Sequence, residues 1–334
     1  MRLSLDLMVD ILKAAAESSR LRVLAAISRG DLTVTDITEI LGQSQPRVSR
    51  HLKLLMEAGL VDRYQEGSWA FFRISDDEQV REFVEGIVSR IDPQDAQAER
   101  DMERLAAVKE RRQQRASDYF NRNAASWDEL RTLHVPDKAV EAALLAAVGK
   151  RPIQSMLDLG TGTGRLLELF APIYRRGLGL DLSREMLAFA RANLDRAGVA
   201  HAQVRQGDIF APPVERNGYD LVTMHQVLHY LDDPAAALRE AARLLRPAGR
   251  LVVVDFAPHA LEFLRDEHAH RRLGFSDQQM SEWLAEAGLE VETVQTFEPR
   301  RGGEAKLTVK LWIGRDQRQL VADQPTSILL GEAV

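Results

Sequence analysis

The chain has 334 residues, no cysteine, and 44 basic against 50 acidic side chains, for a formal net charge of −6. This length favours two domains over one, and a hydrophobic content of 45% is enough to bury real cores, which excludes a wholly disordered protein. The absence of cysteine excludes a disulfide framework, a thiolate metal site and a cysteine nucleophile. Charged residues interrupt the apolar amino-terminal stretch, so we expect no signal peptide, no membrane span and a cytoplasmic protein.

The amino-terminal part of the chain predicts short helices followed by a hairpin. Apolar residues recur at helical spacing in the stretches Leu5–Leu12, Leu21–Ile27 and Val34–Leu41. After Gly59 the pattern changes to two strand-like runs, Val61–Tyr64 and Trp69–Ile74, joined by a turn that contains Gly67.

Residues 92–117 hold six basic and six acidic residues, few apolar ones and no glycine. Good helix formers with opposite charges three or four positions apart predict a solvated helix that needs no core. We therefore assign residues 1–91 to one domain, residues 92–117 to a helical linker and residues 118–334 to a second domain.

In the second domain, strand-like apolar runs alternate with helical ones. The runs that predict strands are Ser155–Leu159, Gly177–Asp181, Ala202–Arg205, Tyr219–Met224 and Leu251–Phe256. This alternation implies crossover units, so we predict an α/β fold with a doubly wound, mostly parallel sheet and helices on both faces.

Residues 33–57 contain a helix, a turn at Gly42, and a second helix with Pro46 in its first turn, where a missing N–H costs nothing. In the second helix, Val48, Leu52 and Leu55 share one face and would pack inward. The pattern indicates a helix-turn-helix whose second helix lies in a DNA major groove, although an ordinary amphipathic helix has the same spacing. The candidate DNA contacts are Gln45 and Arg47 near base edges, Arg50, His51 and Lys53 near phosphates, and Ser49 on the same polar faces.

The run QSQPRVSRHLKLLMEAGLVDRYQEGSWAFFRI resembles the recognition helix and wing of ArsR-type winged-helix repressors, and the likeness covers about residues 5–90. It implies a homodimer that reads an imperfect palindrome in double-stranded operator DNA, with the first and last helices pairing the subunits and the wing touching the DNA. Metal-sensing members carry cysteines just before the recognition element, whereas this chain has Thr33-Val34-Thr35-Asp36. We therefore do not expect metal sensing.

The strongest pattern in the chain is MLDLGTGTG at residues 156–164. An apolar strand ends beside Asp158, and the glycines allow a tight turn and close approach of a ligand before a helix starts at Arg165. A dinucleotide-binding loop would need glycine or alanine at that last position. Asp181 closes the next strand and can accept both ribose hydroxyls of a nucleoside, as an acid about twenty residues past the glycine loop does in related sheets.

The spacing D-x-G-x-G-x-G resembles the nucleoside-binding loop of class I S-adenosylmethionine-dependent methyltransferases, and the likeness extends over roughly residues 118–315. It implies S-adenosylmethionine as the cofactor, with Asp208 at the adenine and Ile209 beside the ring. The cofactor-binding residues that it implies are Asp158, Gly160, Gly162, Gly164, Asp181, Leu182, Asp208, Ile209 and His225. The two resemblances together predict a Rossmann-like methyltransferase sheet preceded by a small winged helix-turn-helix domain.

Two further segments resemble parts of the methyltransferase family. Tyr119, Phe120, Trp127 and Asp128 are similar to the aromatic lid that precedes the domain, although packing in the core is an equally good interpretation of these aromatic residues. Ala248, in the turn before the fifth strand, stands where the family usually has glycine.

Methyl transfer from a sulfonium needs little acid–base help, because the leaving group is already activated and the protein mainly aligns the acceptor and excludes water. A carbon or hydroxyl acceptor benefits from a base, and our candidate catalytic residues are His225 and His229, which follow the fourth strand. His259, His268 and His270 are further candidates. With neighbouring carboxylates they also permit a metal-ligand interpretation. We predict no metal, since the family usually works without one.

Two functions of different class remain open at this point. In the first, the chain is an ArsR-type transcriptional regulator fused to a methyltransferase that acts on a small molecule. In the second, the methyltransferase fold is a non-catalytic sensor of S-adenosylmethionine or S-adenosylhomocysteine that controls DNA binding. A third interpretation, in which the helix-turn-helix serves only dimerisation, conflicts with its basic recognition face.

Overall fold

The computed structural model describes residues 4–66, 69–75, 77–124, 137–149, 152–298 and 307–318. Its amino-terminal module packs helices around a small antiparallel sheet with strand order β1-β3-β2. The elements are α1 (Leu5–Ala15), α2 (Ser18–Ile27), β1 (Leu32–Thr33), α3 (Val34–Leu41), α4 (Gln45–Glu57), β2 (Val61–Glu66), β3 (Trp69–Ile74) and α5 (Glu78–Val88). The predicted helices and hairpin are therefore confirmed. In the described ranges, every helix is too short or too polar to span a lipid bilayer.

The helix-turn-helix is built by local signals that the sequence carries. Thr33 and Asp36 form a capping box at the start of α3, in which the Thr33 backbone N–H donates to the Asp36 carboxylate at 2.7 Å. The helix ends at Gly42, whose φ of 64° lies in the left-handed region that favours glycine. The segment Thr33–Asp36 thus has a structural role as a helix cap.

Helix α6 (Ala96–Asn123) is longer and more buried than the predicted solvated linker. Leu105 and Val108 are buried in the core of the amino-terminal module, and Arg22 donates to the buried Asp101 carboxylate at 2.5 and 2.8 Å. The prediction of a helix is confirmed. The prediction that it needs no core is wrong, because two apolar residues three positions apart pack one face of the helix against the amino-terminal module. The helix also continues past the predicted boundary at residue 117.

The carboxy-terminal module is a seven-stranded sheet with strand order β6-β5-β4-β7-β8-β10-β9. Its elements are α7 (Asp137–Val148), β4 (Ile153–Leu159), α8 (Arg165–Phe170), β5 (Tyr174–Asp181), α9 (Arg184–Arg196), β6 (Ala202–Gln206), β7 (Tyr219–His225), α10 (Pro234–Leu244), β8 (Leu245–Phe256), α11 (Phe263–Glu267), α12 (Asp277–Glu286), β9 (Leu289–Phe297) and β10 (Val309–Asp316). Strands β4 to β8 pair in parallel, and β10 is antiparallel to both of its neighbours. The five predicted strands and the doubly wound architecture are confirmed.

The order of the strands decides where a ligand can bind. From β4 the chain proceeds to β5 and β6 on one side, and it then returns to place β7 and β8 on the other side. The connections on the two sides of β4 therefore diverge and leave a crevice at the carboxyl ends of β4 and β7. This position, where the strand order reverses, is the switch point of the sheet. Two separate apolar clusters cover the two faces of the sheet. The crevice lies at the edge formed by the carboxyl ends of the strands and not on either of these faces.

Ala248 adopts a φ of 62°, in the left-handed region that costs an L-residue roughly 1–2 kcal/mol. We expect Ala248→Gly to raise the free energy of unfolding by about 0.5–1 kcal/mol, because relief of this strain exceeds the entropy that glycine adds to the unfolded chain. The matched control is Ala285→Gly in the exposed part of α12, which should lower that free energy by about 0.5–1 kcal/mol. Denaturant unfolding of both variants measures the sign of each change in the free energy of unfolding. Equal losses of stability in the two variants would contradict the assignment of strain to Ala248.

Candidate functional site

Helix α4 presents a polar surface to solvent. Val48, Leu52 and Leu55 are buried in the core of the module as predicted. The exposed side chains of α4 include those of Gln45, Arg47, Ser49, Arg50 and Lys53, together with Leu54 and Glu57. Within α4, Lys53 Nζ also lies 3.8 Å from the carboxylate of Glu57.

The predicted phosphate contact of His51 is wrong. The residue is only 9% exposed, and its Nδ1 atom lies 3.6 Å from the Glu17 carboxylate, on the side of α4 that faces the rest of the module. Burial lowers the pKa of His51, against the opposing effect of Glu17. A ring in this position packs the helix against α2 and does not reach a DNA backbone.

The glycine-rich loop after β4 has a backbone conformation that other residues cannot adopt without strain. Gly160, Gly162 and Gly164 have φ values of 71°, 51° and 84°. A Cβ atom on Gly160 would lie 2.5 Å from a methyl carbon of Val227, and one on Gly164 would lie 3.2 Å from the Cβ of Ala190. The loop can therefore approach both a ligand and its neighbouring segments closely only because these positions lack side chains.

Asp158 supports the loop from below. Its carboxylate accepts hydrogen bonds from the hydroxyls of Thr223 at 2.6 Å and Thr161 at 2.7 Å, and burial raises the pKa of Asp158 to about 6. These two contacts connect β4, β7 and the loop at the switch point of the sheet.

Asp181 and Asp208 follow the two strands on the other side of β4. The Asp181 carboxylate accepts from the backbone N–H of Gly162 and that of Ser183, both at 2.9 Å, and burial raises its pKa. Asp208 accepts from the backbone N–H of Phe210 at 2.9 Å. Both acids are therefore held in position by backbone donors on the ligand side of the sheet.

A cavity of about 820 Å³ opens beside these groups, within the size range of small-molecule sites. The predicted cofactor residues that line it are Asp158, Gly160, Gly162, Asp181, Leu182, Asp208, Ile209 and His225. Gly164 does not line the cavity. It precedes α8 in the left-handed conformation and permits the close packing of α9.

The two candidate catalytic histidines occupy different positions. His225 lines the cavity, whereas His229 does not and is only 1% exposed. The Nδ1 atom of His229 lies 2.7 Å from the carboxylate of Asp255. The prediction that His229 contacts a substrate is therefore wrong, because the turn after β7 directs its ring behind Tyr230 and His270, whose ring centroids lie 4.0 and 4.1 Å away.

Several residues that line the cavity were missed in the sequence. They include Phe210 beside Asp208, Tyr230 after the β7 turn, and Trp69 from the hairpin of the amino-terminal module. Phe210 was detectable, since it is an aromatic residue two positions after the predicted contact Asp208. Nothing in the local sequence indicates that Trp69 reaches a cavity in the other module.

The predicted aromatic lid is only partly described. Tyr119 and Phe120 line the cavity at the end of α6, and the Tyr119 hydroxyl lies 2.8 Å from Nδ1 of His268. Burial raises the pKa of Tyr119 to about 12, so its hydroxyl stays protonated at neutral pH. Trp127 and Asp128 lie outside the described residues.

The histidine-rich segment after β8 does not form a metal-binding arrangement. Within the described part of the chain, no group of three or more histidine, aspartate or glutamate side chains is placed so that it could hold a metal ion. Burial lowers the pKa of His259 to about 4, so this ring is neutral at physiological pH.

Comparison with protein families covers both modules. Residues 17–63 match the family model described as bacterial regulatory protein, arsR family, and residues 157–253 match the model described as methyltransferase domain. The chain joins an ArsR-family helix-turn-helix to a methyltransferase domain. The first match contains the recognition helix, and the second contains the glycine loop, Asp181 and Asp208.

Individual relatives resemble the second module. The methyltransferase YcgJ of Bacillus subtilis is 31% identical over 140 residues, which are 39% of this chain and 53% of that protein. The ubiquinone/menaquinone biosynthesis C-methyltransferase UbiE of a Shewanella species is 34% identical over 121 residues, which are 35% of this chain and 48% of that protein. The chain thus spans about half the length of these relatives. A solved S-adenosylmethionine-dependent methyltransferase from Aquifex aeolicus superposes with a TM-score of 0.45 at 20% identity, over 56% of this chain and 97% of that one.

The cofactor of a methyltransferase domain of this kind is S-adenosylmethionine, and the cavity suits it. The loop packs so closely against Val227 that a Cβ at Gly160 would collide with it, so this position requires glycine. Asp181 and Asp208 present carboxylates for hydroxyl and amino donors, and Ile209 and Phe210 add an apolar surface for a purine. These residues would hold the nucleoside half of the cofactor.

Proposed function

We propose that the protein is a transcriptional regulator of ArsR type whose methyltransferase domain transfers a methyl group from S-adenosylmethionine to a small molecule. The observation that carries this proposal is the position of Gly162, Asp181, Asp208 and His225 around one cavity at the switch point of the sheet. Their sequence separation is large, and a cavity that assembles all four is what a nucleoside-dependent transferase requires.

The residues of the chain have separate tasks in this reaction. S-adenosylmethionine, when bound, supplies an activated methyl group on its sulfonium. The Asp181 carboxylate accepts hydrogen bonds from hydroxyl groups of the nucleoside and fixes its position. Tyr119 and Phe120 cover the cavity and exclude water. His225 is the histidine of the predicted pair that can receive a proton from a hydroxyl or carbon acceptor, because it lines the cavity.

His229 and Asp255 are positioning residues. One oxygen of the Asp255 carboxylate lies 2.7 Å from the His229 ring, and the other accepts from the backbone N–H of Leu228 at 3.0 Å. These contacts hold the turn after β7, in which Gln226 adopts a φ of 52°. A turn held in this way keeps Gln226, Val227 and Tyr230 at the wall of the cavity.

The amino-terminal module supports operator binding by a homodimer. Helix α4 exposes three basic residues, Arg47, Arg50 and Lys53, beside Gln45. Helix α1 leaves apolar side chains in solvent, among them Leu5 at 79% and Leu12 at 48% exposure. A second copy of the chain would cover this apolar surface, as the resemblance to ArsR-type repressors implies.

The test is methyl transfer to a small-molecule extract of the source cells. The purified chain is incubated with the extract and S-adenosylmethionine that carries an isotopic label in the methyl group, and products are separated by mass and label. We expect one labelled small molecule and stoichiometric S-adenosylhomocysteine. Binding of S-adenosylhomocysteine without any labelled product would contradict turnover and support the sensor function, and no binding at all would contradict both.

A further inference from the structure

The hairpin of strands β2 and β3, called the wing below, carries aromatic side chains on the face that points away from the amino-terminal module. Tyr64 and Phe71 are directly paired across β2 and β3, with their rings stacked at 5.5 Å, and Trp69 lies two residues before Phe71 on the same face. Phe72, on the opposite face, belongs to the core of the module, but Phe71 lies outside that core and is nevertheless 0% exposed. Another part of the protein must therefore cover the outer face of the wing.

Arg272 of the methyltransferase domain provides this cover. Its guanidinium carbon lies 4.8 Å from the centre of the Phe71 ring, and its nitrogens donate to the Tyr64 hydroxyl and, at 3.2 Å, to the Asp31 carboxylate. A third bond, at 3.0 Å, goes to the backbone carbonyl of Asp232 in its own domain. Arg272 is only 5% exposed, so it is a buried connection between the two modules and not a surface ion pair.

The same connection extends to the wall of the cavity. The backbone N–H groups of Arg271 and Arg272 donate to the carbonyl of His229 at 2.8 and 2.9 Å. His229 lies in the turn that places Val227 and Tyr230 at the cavity. Two backbone hydrogen bonds therefore join this turn to the segment that contains Arg272, the residue that holds the wing.

Trp69 brings the wing into the cavity itself. It lines the cavity beside Arg265, whose guanidinium carbon lies 4.6 Å from the indole ring. Arg265 belongs to the segment that follows β8, whereas Asp181 and Asp208 follow β5 and β6, so Trp69 lies across the switch point from the predicted ribose and adenine contacts. Strand β2 follows α4 after a short turn at Gly59, and the two elements contact each other. The wing is therefore in direct contact with the recognition helix.

We propose that the wing and the methyltransferase cavity form one ligand-responsive unit. In this unit, Trp69 of the DNA-binding module contacts the ligand bound in the cavity, and Arg272 holds the wing in the position that allows this contact. This inference rests on the proposed function for the identity of the ligand. This route does not depend on α6, because the wing itself lines the cavity through Trp69. The reciprocal consequence is that DNA bound to α4 alters the affinity of the cavity for its ligand by the same factor.

The test measures the affinity of the full-length chain for DNA with and without S-adenosylhomocysteine. Fluorescence anisotropy measures binding to two labelled duplexes. One comes from the region upstream of the protein's own gene, and the other has an arbitrary sequence and is measured at low salt. In the parent chain we expect the ligand to change DNA affinity by roughly 5-fold to 150-fold, the usual range of allosteric coupling. Trp69→Ala should bind the ligand more weakly by calorimetry and, at saturating ligand, reduce this factor to near one, and Trp69→Phe should restore most of it.

Two further variants distinguish this route from general damage. Tyr64→Phe removes the hydroxyl between Asp31 and Arg272 but keeps the stacked ring, and it should also weaken the coupling. Arg81→Met is the matched control, because Arg81 pairs with Glu286 across the same two modules at 3.7 Å but does not line the cavity. It should leave the coupling at the parent value.

Hydrogen exchange gives a readout that needs no DNA. The ligand should protect the amides of β2 and β3 in the parent chain and in Arg81→Met, but not in Trp69→Ala. Parent-like coupling and protection in Trp69→Ala would overturn the inference, as would bound ligand with no effect on either measurement in the parent. If S-adenosylhomocysteine does not bind to the parent in calorimetry, the proposed function itself fails, so the two failures are distinguishable.

Discussion

Asp181→Ala is expected to weaken binding of S-adenosylhomocysteine by roughly 100-fold or more. We propose that this carboxylate accepts hydrogen bonds from both ribose hydroxyls, and each hydrogen bond to a charged group contributes about 1.5–3 kcal/mol when its loss leaves a polar partner unpaired. A tenfold loss of affinity corresponds to about 1.4 kcal/mol, so two such bonds give at least the stated factor. Isothermal calorimetry on the purified variant measures the change.

The variant also removes the acceptor of the Gly162 and Ser183 backbone N–H groups, so the loop must be monitored separately. Thermal unfolding without ligand reports this structural part, and Asp181→Asn, which keeps an oxygen for one backbone donor, should lose affinity with less loss of stability. Asp195→Ala removes an equal charge from the exposed surface of α9 and should bind as the parent does. Parent-like affinity in Asp181→Ala would remove the basis for placing the ribose at the end of β5.

Removal of the basic residues of α4 is expected to have the second large effect. If Arg50 and Lys53 contact phosphates, Arg50→Ala and Lys53→Ala should each weaken binding to all duplexes and lower the slope of log affinity against log salt by about 0.9. Arg47→Ala should instead relax sequence preference, at a cost of about 1–3 kcal/mol on the preferred site, if it reads a guanine. Gel shifts across a salt series, with specific and random duplexes, separate the two kinds of loss.

Two controls sharpen this experiment. Arg239→Ala removes an exposed charge from α10 in the methyltransferase domain, and its salt slope should equal that of the parent. His51→Ala removes a buried ring beside Glu17, so we expect a lower free energy of unfolding and an unchanged salt slope. A slope reduced by Arg239→Ala as much as by Arg50→Ala would show that DNA does not bind through α4.

The sequence by itself determined the elements whose signals are local. The capping box of Thr33 and Asp36, the glycine at position 42, the five parallel strands and the glycine loop each depend on residues a few positions apart. Their periodicity and backbone requirements are the same in any tertiary context, and so they could be predicted. The position of Asp181 followed from strand alternation, because parallel strands present their carboxyl ends at one edge.

Only the tertiary structure decided which face of each element is covered and by what. His51 lies on the side of α4 that packs against α2, and His229 points behind the cavity because Asp255, on the neighbouring strand β8, holds its ring. Leu105 and Val108 place a charged helix in a core that the charge pattern did not indicate. The cover of the wing depends on Arg272, which lies 208 residues after Tyr64. A contact over such a separation leaves no periodic trace in either segment, because each position is compatible with exposure until the other module packs against it.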